Sequence, residues 1–155
     1  MCDEESSGIG DLVPDDTIVY RGCSRKNFLT PTKDAVAPAA FEKRGLNHKD
    51  GLSLALTMVD SVRPFKKGNF GAVAISVGDI HGLNRGLEVR FDIQVPGHII
   101  VRNMPCMDRS HEKQAANEVA AELAFRATVA SAVPIVLPAE PVDDIAASAE
   151  EPTPS

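Results

Sequence analysis

Short apolar runs separated by Gly- and Pro-containing turns make up most of the middle of this chain. Leucine occupies every second position in LSLALT (residues 52–57), and LEVRFDI (residues 87–93) alternates apolar with charged residues. A period of two predicts strands with one buried face. Runs rich in β-branched residues predict three further strands, at residues 17–21, 72–77 and 98–104.

One longer segment, residues 108–131, has the period of a helix instead. Its small and apolar residues recur three or four positions apart, at Ala116, Val119, Ala120, Leu123, Ala127 and Ala130. Asp108 or Ser110 is expected to cap this helix, and Pro134 must end it. Pro38 is expected to open a short helix over residues 39–44. The pattern therefore predicts an α+β fold: a mainly antiparallel sheet of about five strands, one long C-terminal helix and one short helix.

The two ends of the chain differ from its middle in composition. Residues 1–16 combine acidic residues with Ser and Gly, and residues 134–155 combine acidic residues with Pro. Such segments bury too little apolar surface to fold, so two disordered tails are predicted around a single domain at residues 17–133. One alternative is that residues 135–137 return to the domain as a short edge strand.

The net charge of −6 is unevenly distributed. The predicted tails hold six and five of the 22 acidic residues, so eleven remain in the middle against all 16 Lys and Arg, a net charge of +5 there. A basic domain favours anionic partners, and acidic tails alternatively serve only solubility.

Several classes of protein are disfavoured. No apolar run approaches the length of a membrane span, and the acidic N-terminus is unlike a signal peptide, so a cytoplasmic protein without membrane contact is expected. Three scattered cysteines are too few for a disulfide framework, and no Cys/His spacing predicts a metal site.

The first predicted strand ends in a basic cluster, Arg21-Gly22-Cys23-Ser24-Arg25-Lys26. Backbone amides approach an anion closely at a glycine, and arginine binds phosphate or carboxylate with two hydrogen bonds. Arg21, Gly22 and Arg25 are therefore candidate ligand-binding residues, and the alternative is a solvated strand end. Cys23 is either a thiol activated by these cations or a small, half-buried core residue.

Two further residues have side chains suited to catalysis. His98 begins a strand directly after a Pro-Gly turn, where it could act as a general acid or base, and Ser53 lies on the polar side of its strand. Each is alternatively structural. Glu118 and Glu122, four apart on the long helix, either form an acid/base pair or simply face water.

Basic loops at residues 43–49 and 63–67 could follow a phosphate backbone. Few aromatic residues accompany them for base stacking, which makes a nucleic-acid binder the third-ranked hypothesis.

The triplet Tyr20-Arg21-Gly22, followed by Phe28 and by Ser53 in a later strand, resembles the opening of ADP-ribosyltransferase-type domains, including RNA 2′-phosphotransferases. The resemblance implies NAD as a possible cofactor or substrate, held by Arg21 and Ser53. No Glu-x-Glu motif is present, so Glu88 is the strand glutamate that would take its place. Arg-Gly-Cys stands where the phosphotransferases have His-Gly-Thr.

A second resemblance, to a group of small bacterial proteins, spans nearly the whole predicted domain. It is carried by the Tyr-Arg-Gly triplet, an Ala-Phe pair (residues 40–41), Asp-Gly-Leu-Ser (residues 50–53), Val-Gly-Asp (residues 77–79) and a histidine before an apolar strand. It implies that Arg21, Asp50, Ser53 and His98 act together.

The leading hypothesis is a pocket that binds a phosphate-bearing small molecule, NAD or another nucleotide, in the manner of an ADP-ribosyltransferase. The alternative is a non-catalytic factor with a protein partner, such as an immunity protein, an antitoxin or an accessory protein. Ligand binding distinguishes the first hypothesis, and co-purification with a partner distinguishes the second.

Overall fold

Seven strands form one antiparallel sheet in the computed structural model, which describes residues 8–44, 51–65 and 67–138. The strands are β1 (Ile9–Leu12), β2 (Ile18–Gly22), β3 (Leu52–Ala55), β4 (Ala72–Ser76), β5 (Glu88–Asp92), β6 (His98–Arg102) and β7 (Thr128–Ser131). Their order across the sheet is β1-β5-β6-β3-β2-β4-β7. The predicted α+β class and antiparallel pairing are confirmed.

Within the described residues, three α-helices and two 3-10 turns accompany the sheet. The helices are α1 (Met58–Val62), α2 (Val77–His81) and α3 (Lys113–Arg126), and the 3-10 turns are Lys26–Phe28 and Pro38–Phe41. Pro38 does begin a helical turn, as predicted, but the turn is of the 3-10 type and ends at Phe41.

The sheet has two strands more than the five predicted. β1 lies within the segment expected to be a disordered tail, and it pairs with β5. β7 lies within the segment expected to be helical, and it pairs with β4. Here Ala127 has extended backbone, and the β-branched Thr128 and Val129 follow it, so strand pairing prevails over the helical spacing of alanines.

The hydrophobic pattern did not predict α1 and α2, although each of these helices begins with a recognisable N-terminal cap. The hydroxyl of Thr57 accepts a hydrogen bond from the Asp60 amide at 3.1 Å, and the hydroxyl of Ser76 accepts one from the Asp79 amide at 3.0 Å. In this pattern the Ser or Thr hydroxyl accepts an otherwise unpaired amide hydrogen. The acidic residue three positions later places negative charge at the helix N-terminus, where it is favourable. α3, by contrast, follows Glu112 without a side-chain cap, and neither Asp108 nor Ser110 caps it.

The hydrophobic core lies between one face of the sheet and α3. Leu52 and Leu54 are buried, as their alternation predicts, and they belong to the same core cluster as Val119 and Leu123 of α3. The alternation predicted for β5 fails at Ile93, which is 71% exposed because the strand ends at Asp92.

The segment after β7 forms no strand between residues 132 and 138, but it is fixed to the domain. The Asn69 amide donates to the Ile135 carbonyl at 3.0 Å, and its oxygen accepts from the Ile135 amide at 2.8 Å. Ile135 therefore returns to the domain, held by one buried asparagine rather than by strand pairing, whereas Val136 is exposed.

Candidate functional site

The sheet opens where β2 passes β3. β2 pairs with β4 along its whole length, from Ile18 to Gly22, whereas its pairing with β3 is confined to Tyr20 opposite Ala55. Beyond this pair the guanidinium of Arg21 crosses the gap, and its Nη1 donates to the Ser53 carbonyl at 3.0 Å.

Arg21 is the central charge of this opening. Its side chain is buried, its Nε donates to the Ala40 carbonyl at 2.9 Å, and its guanidinium lies 5.6 Å from the centre of the Phe28 ring. No carboxylate of the described residues pairs with it. Burial lowers its pKa to about 10, with a smaller opposing effect from Cys23, so it remains a cation at neutral pH. A buried cation held by carbonyls and an aromatic ring is favourably placed to receive an anion.

A cavity of about 450 Å³ occupies the opening. This volume lies within the range of small-molecule binding sites. Its charged and polar lining comes from β2, β3, β6, α1, the first 3-10 turn and the segments next to the two 3-10 turns. The lining residues of this kind are Arg21, Ser24, Arg25, Asn27, Glu42, Arg44, Ser53, Asp60, Ser61 and His98. Tyr20, Phe28 and Phe65 contribute aromatic surface.

The two acidic residues of the lining already have cationic neighbours. Glu42 pairs with Arg44 at 3.2 Å, and Asp60 pairs with Arg63 at 3.2 Å. Arg25, which is exposed, has no ion pair within the described residues. Arg21 and Arg25 are therefore the cations of this lining that no carboxylate neutralises in the described part of the chain.

Five of the six predicted site residues line this one cavity: Arg21, Gly22, Arg25, Ser53 and His98. The sixth, Asp50, lies outside the described residues. Glu88, the glutamate suggested by the ADP-ribosyltransferase resemblance, is elsewhere on β5, where it pairs with Arg90 at 2.9 Å. The carboxylates that line the cavity are instead Glu42 and Asp60, which the sequence did not indicate as site residues.

Gly22 lines the cavity, but its missing side chain is required by packing. A Cβ built at this position would lie 2.1 Å from the carbonyl oxygen of Ser61 and 2.9 Å from the Phe65 ring. Glycine therefore lets α1 approach β2 closely, and α1 encloses one side of the opening.

Cys23 is not an activated thiol. It is fully buried, and burial raises its pKa to about 11 although the adjacent Arg21 acts in the opposite direction. Of the sequence alternatives, the small core residue is therefore correct. Cys106 is buried and disulfide-bonded.

His98 has an acidic partner that the sequence did not indicate. Its Nδ1 lies 2.6 Å from Oδ2 of Asp92, the last residue of β5. Asp92 and His98 flank the tight hairpin that joins β5 and β6, where Gly97 has a φ of 81°. The Pro96-Gly97 turn was visible in the sequence, and the hairpin it forms brings the two residues together.

The remaining candidates are the two glutamates of α3 and the basic loops, of which Arg44 lines the cavity. Glu118 and Glu122 form ion pairs with Arg85, at 3.3 and 2.7 Å, rather than a free acid/base pair. Of the basic loops, Lys43 is fully buried and Arg63 is paired with Asp60. Residues 45–50 and Lys66 lie outside the described residues.

In the described ranges, no three His, Cys, Asp or Glu side chains are grouped so that they could hold a metal ion. No helix there is long and apolar enough to cross a membrane. Compared with known proteins, the chain matches no family model, no curated protein and no solved structure.

Proposed function

We propose that the cavity between β2 and β3 binds a phosphate-bearing small molecule, with NAD or another nucleotide as the leading ligand class. The observation that carries the proposal is Arg21, a buried cation at the cavity that no carboxylate of the described residues neutralises. Transferring a charge out of water is costly unless an opposite charge or several hydrogen bonds compensate it. An anionic ligand provides that compensation.

The surroundings of Arg21 agree with a ligand larger than a single phosphate. Arg25 offers a second cation, Ser53 and His98 offer hydrogen-bonding side chains, and Phe28 and Phe65 offer apolar surface against which a base can lie. In this arrangement Arg21 and Arg25 hold phosphate, Ser53 orients the ribose and His98 is the acid/base candidate. These roles also agree with the resemblance to ADP-ribosyltransferase-type domains.

The test is ligand binding by the full chain, measured by isothermal titration calorimetry with NAD, ADP, pyrophosphate and a short RNA. We expect NAD or ADP to bind, and Arg25→Gln to weaken binding about tenfold because a charge-assisted hydrogen bond is lost. Arg21→Met should weaken binding more strongly. Arg85→Met is the matched control, because Arg85 is held by two glutamates outside the cavity.

Failure of every ligand to bind would overturn the proposal. Equal affinity of the wild type and Arg25→Gln, with Arg21→Met also unchanged, would move the ligand to another part of the protein. Tightest binding by RNA, weakening steeply with salt, would favour the nucleic-acid hypothesis instead.

The second candidate function, a non-catalytic factor with a protein partner, is favoured by a different observation. Phe125 projects from α3 with 90% of its surface exposed, and it lies beside Leu83 and Ala121. An exposed aromatic residue next to apolar neighbours is typical of protein contact surfaces. Phe125→Ser should abolish co-purification of a partner and leave nucleotide binding unchanged.

A further inference from the structure

The hairpin between β5 and β6 holds His98 in one orientation at the cavity. Asp92 uses both carboxylate oxygens: Oδ2 lies 2.6 Å from Nδ1 of His98, and Oδ1 accepts the Gln94 amide at 2.8 Å. The Asp92 side chain is only 10% exposed, so the pair is largely shielded from water. Asp92 therefore fixes the ring from one side.

This contact determines which ring nitrogen carries the proton. An ionised carboxylate only accepts hydrogen bonds, so Nδ1 must donate, and in the neutral ring Nε2 is then an acceptor. Burial raises the pKa of Asp92, but the hydrogen bonds from His98 and from backbone amides outweigh burial and hold it below its usual value. Asp92 is thus ionised at neutral pH. Nε2 has no hydrogen-bond partner among the described residues.

The acceptor Nε2, which is unpaired within the described residues, restricts which groups of a ligand can lie against His98. His98 and Ser53 are on the same face of the sheet, because Ala55 pairs with His98 and Ser53 pairs with Ile100 on the adjacent strands. An ionised phosphate also only accepts hydrogen bonds, so it suits Arg21 and Arg25 but not Nε2. While the His98 ring is neutral, the ligand must therefore present an O–H or N–H group to it.

We infer that the Asp92–His98 pair recognises a sugar hydroxyl, so that the ligand class is a nucleotide with a ribose diol rather than a bare phosphate or polyphosphate. The inference rests on the proposed function and names the ligand class of the same cavity. A diol offers two adjacent groups that each donate and accept, which suits the Nε2 acceptor of His98 and the hydroxyl of Ser53 on one face of the same cavity. In this role His98 contacts the ligand, and Asp92 is a positioning residue that acts through it.

The binding test compares ADP with 2′,3′-dideoxy-ADP on the full chain by isothermal titration calorimetry. The wild type should bind ADP about tenfold more tightly, since one or two hydrogen bonds are lost without the hydroxyls. In Asp92→Asn and His98→Ala this ratio should fall towards one. Asp15→Asn is the matched control, because it alters a second His–Asp contact, Asp15 Oδ1 to His81 Nδ1 at 2.7 Å, which lies away from the cavity.

A second measurement needs no ligand. Ring ¹⁵N chemical shifts of neutral His98 should show a protonated Nδ1 and an unprotonated Nε2 in the wild type and in Asp15→Asn. Asp92→Asn should give a mixture of the two tautomers, which a purely structural role of Asp92 would not produce.

Each result decides between the two proposals. A protonated Nε2 in the wild type would overturn the inference whatever binds. Equal affinities for ADP and dideoxy-ADP would overturn it while leaving phosphate binding in place. An unchanged ratio in Asp92→Asn would remove Asp92 from the recognition. If neither nucleotide nor pyrophosphate binds, the proposed function fails, and the inference fails with it.

Discussion

Arg21 and Arg85 have the same side chain in opposite settings. Arg21 is buried at the end of β2, donates to two backbone carbonyls and has no carboxylate partner in the described part of the chain. Arg85 lies near the surface, where Glu118 and Glu122 of α3 bind its guanidinium. Burial lowers the pKa of Arg21 to about 10, whereas hydrogen bonds from Arg85 to the two glutamates raise the pKa of Arg85.

The difference shows which charge is available for a ligand. The charge of Arg85 is already compensated by two carboxylates and by water, so an added anion gains little there. The charge of Arg21 is removed from water and only partly compensated by carbonyl dipoles, so an anion in the cavity gains more. Counting basic residues along the sequence treats both arginines alike, and their surroundings separate them.

The largest loss of stability is expected from Gly22→Ala. This change would push α1 away from β2 and so open the cavity in which Arg21 is buried. The added Cβ would meet the Ser61 carbonyl oxygen at 2.1 Å, and backbone atoms must shift to relieve the contact. We expect a loss of about 3 kcal/mol in the free energy of unfolding, measured by urea denaturation.

Gly78→Ala is the control for Gly22→Ala. Its nearest contact would be the Asp15 carbonyl oxygen at 3.1 Å, and Gly78 lies in α2, where alanine is the better helix former. A change below about 1 kcal/mol is expected there. Equal effects of the two variants would show that α1 does not enclose the Arg21 end of β2.

The second-largest loss of stability is expected when the two arginines themselves are replaced by methionine. Arg21→Met retains much of the apolar volume but leaves the carbonyls of Ala40 and Ser53 without their donor. We expect a loss of about 2 kcal/mol in the free energy of unfolding, because unsatisfied buried acceptors outweigh the relief of a desolvated charge. Arg85→Met should change stability much less. A neutral or stabilising Arg21→Met would mean that water in the cavity satisfies both carbonyls.

The smallest expected effect is a difference between the two arginines in how their contribution to stability depends on pH. The hydrogen bond from Arg85, and to a lesser extent its charge, holds the pKa of Glu122 below its usual value although partial burial acts in the opposite direction. The pair therefore stabilises the fold above the pKa of an unfolded glutamate, about 4.3, and this stabilisation is lost as the pH falls through the lower folded value.

Thermal unfolding at falling pH measures this difference. The gap in Tm between the wild type and Arg85→Met should begin to close as the pH falls below about 4.3 and close further through the lower folded pKa of Glu122, and it should also narrow on addition of salt. The gap for Arg21→Met should persist, because no described carboxylate pairs with Arg21. Closure of both gaps would reveal an acidic partner of Arg21.

Local patterns predicted the parts of the fold that depend on one strand at a time. The alternation of leucines correctly indicated the buried face of β3, and the β-branched runs indicated β2, β4 and β6 within one or two residues. β1 and β7 were missed because their pairing with β5 and β4 comes from distant parts of the chain. α1 and α2 were missed because five-residue helices are too short for a helical period, and only their Thr57 and Ser76 caps marked them.

The candidate site was also only partly predictable from local patterns in the sequence. The types of side chain were visible in the sequence, since Arg21, Arg25, Ser53 and His98 were selected for their chemistry. That they line one cavity depends on the gap between β2 and β3, and that Asp92 orients His98 depends on the hairpin that joins their strands. Glu42 and Asp60 also line the cavity, and no local pattern predicted that placement.

By itself, the sequence determined the α+β class, the antiparallel sheet and a basic middle between acidic ends, because periodicity and composition are local properties of the chain. Only the tertiary structure decided that Arg21 is buried without a carboxylate partner in the described residues while Arg85 is paired. Burial and pairing depend on which residues distant in the chain come together, and that is the outcome of folding as a whole.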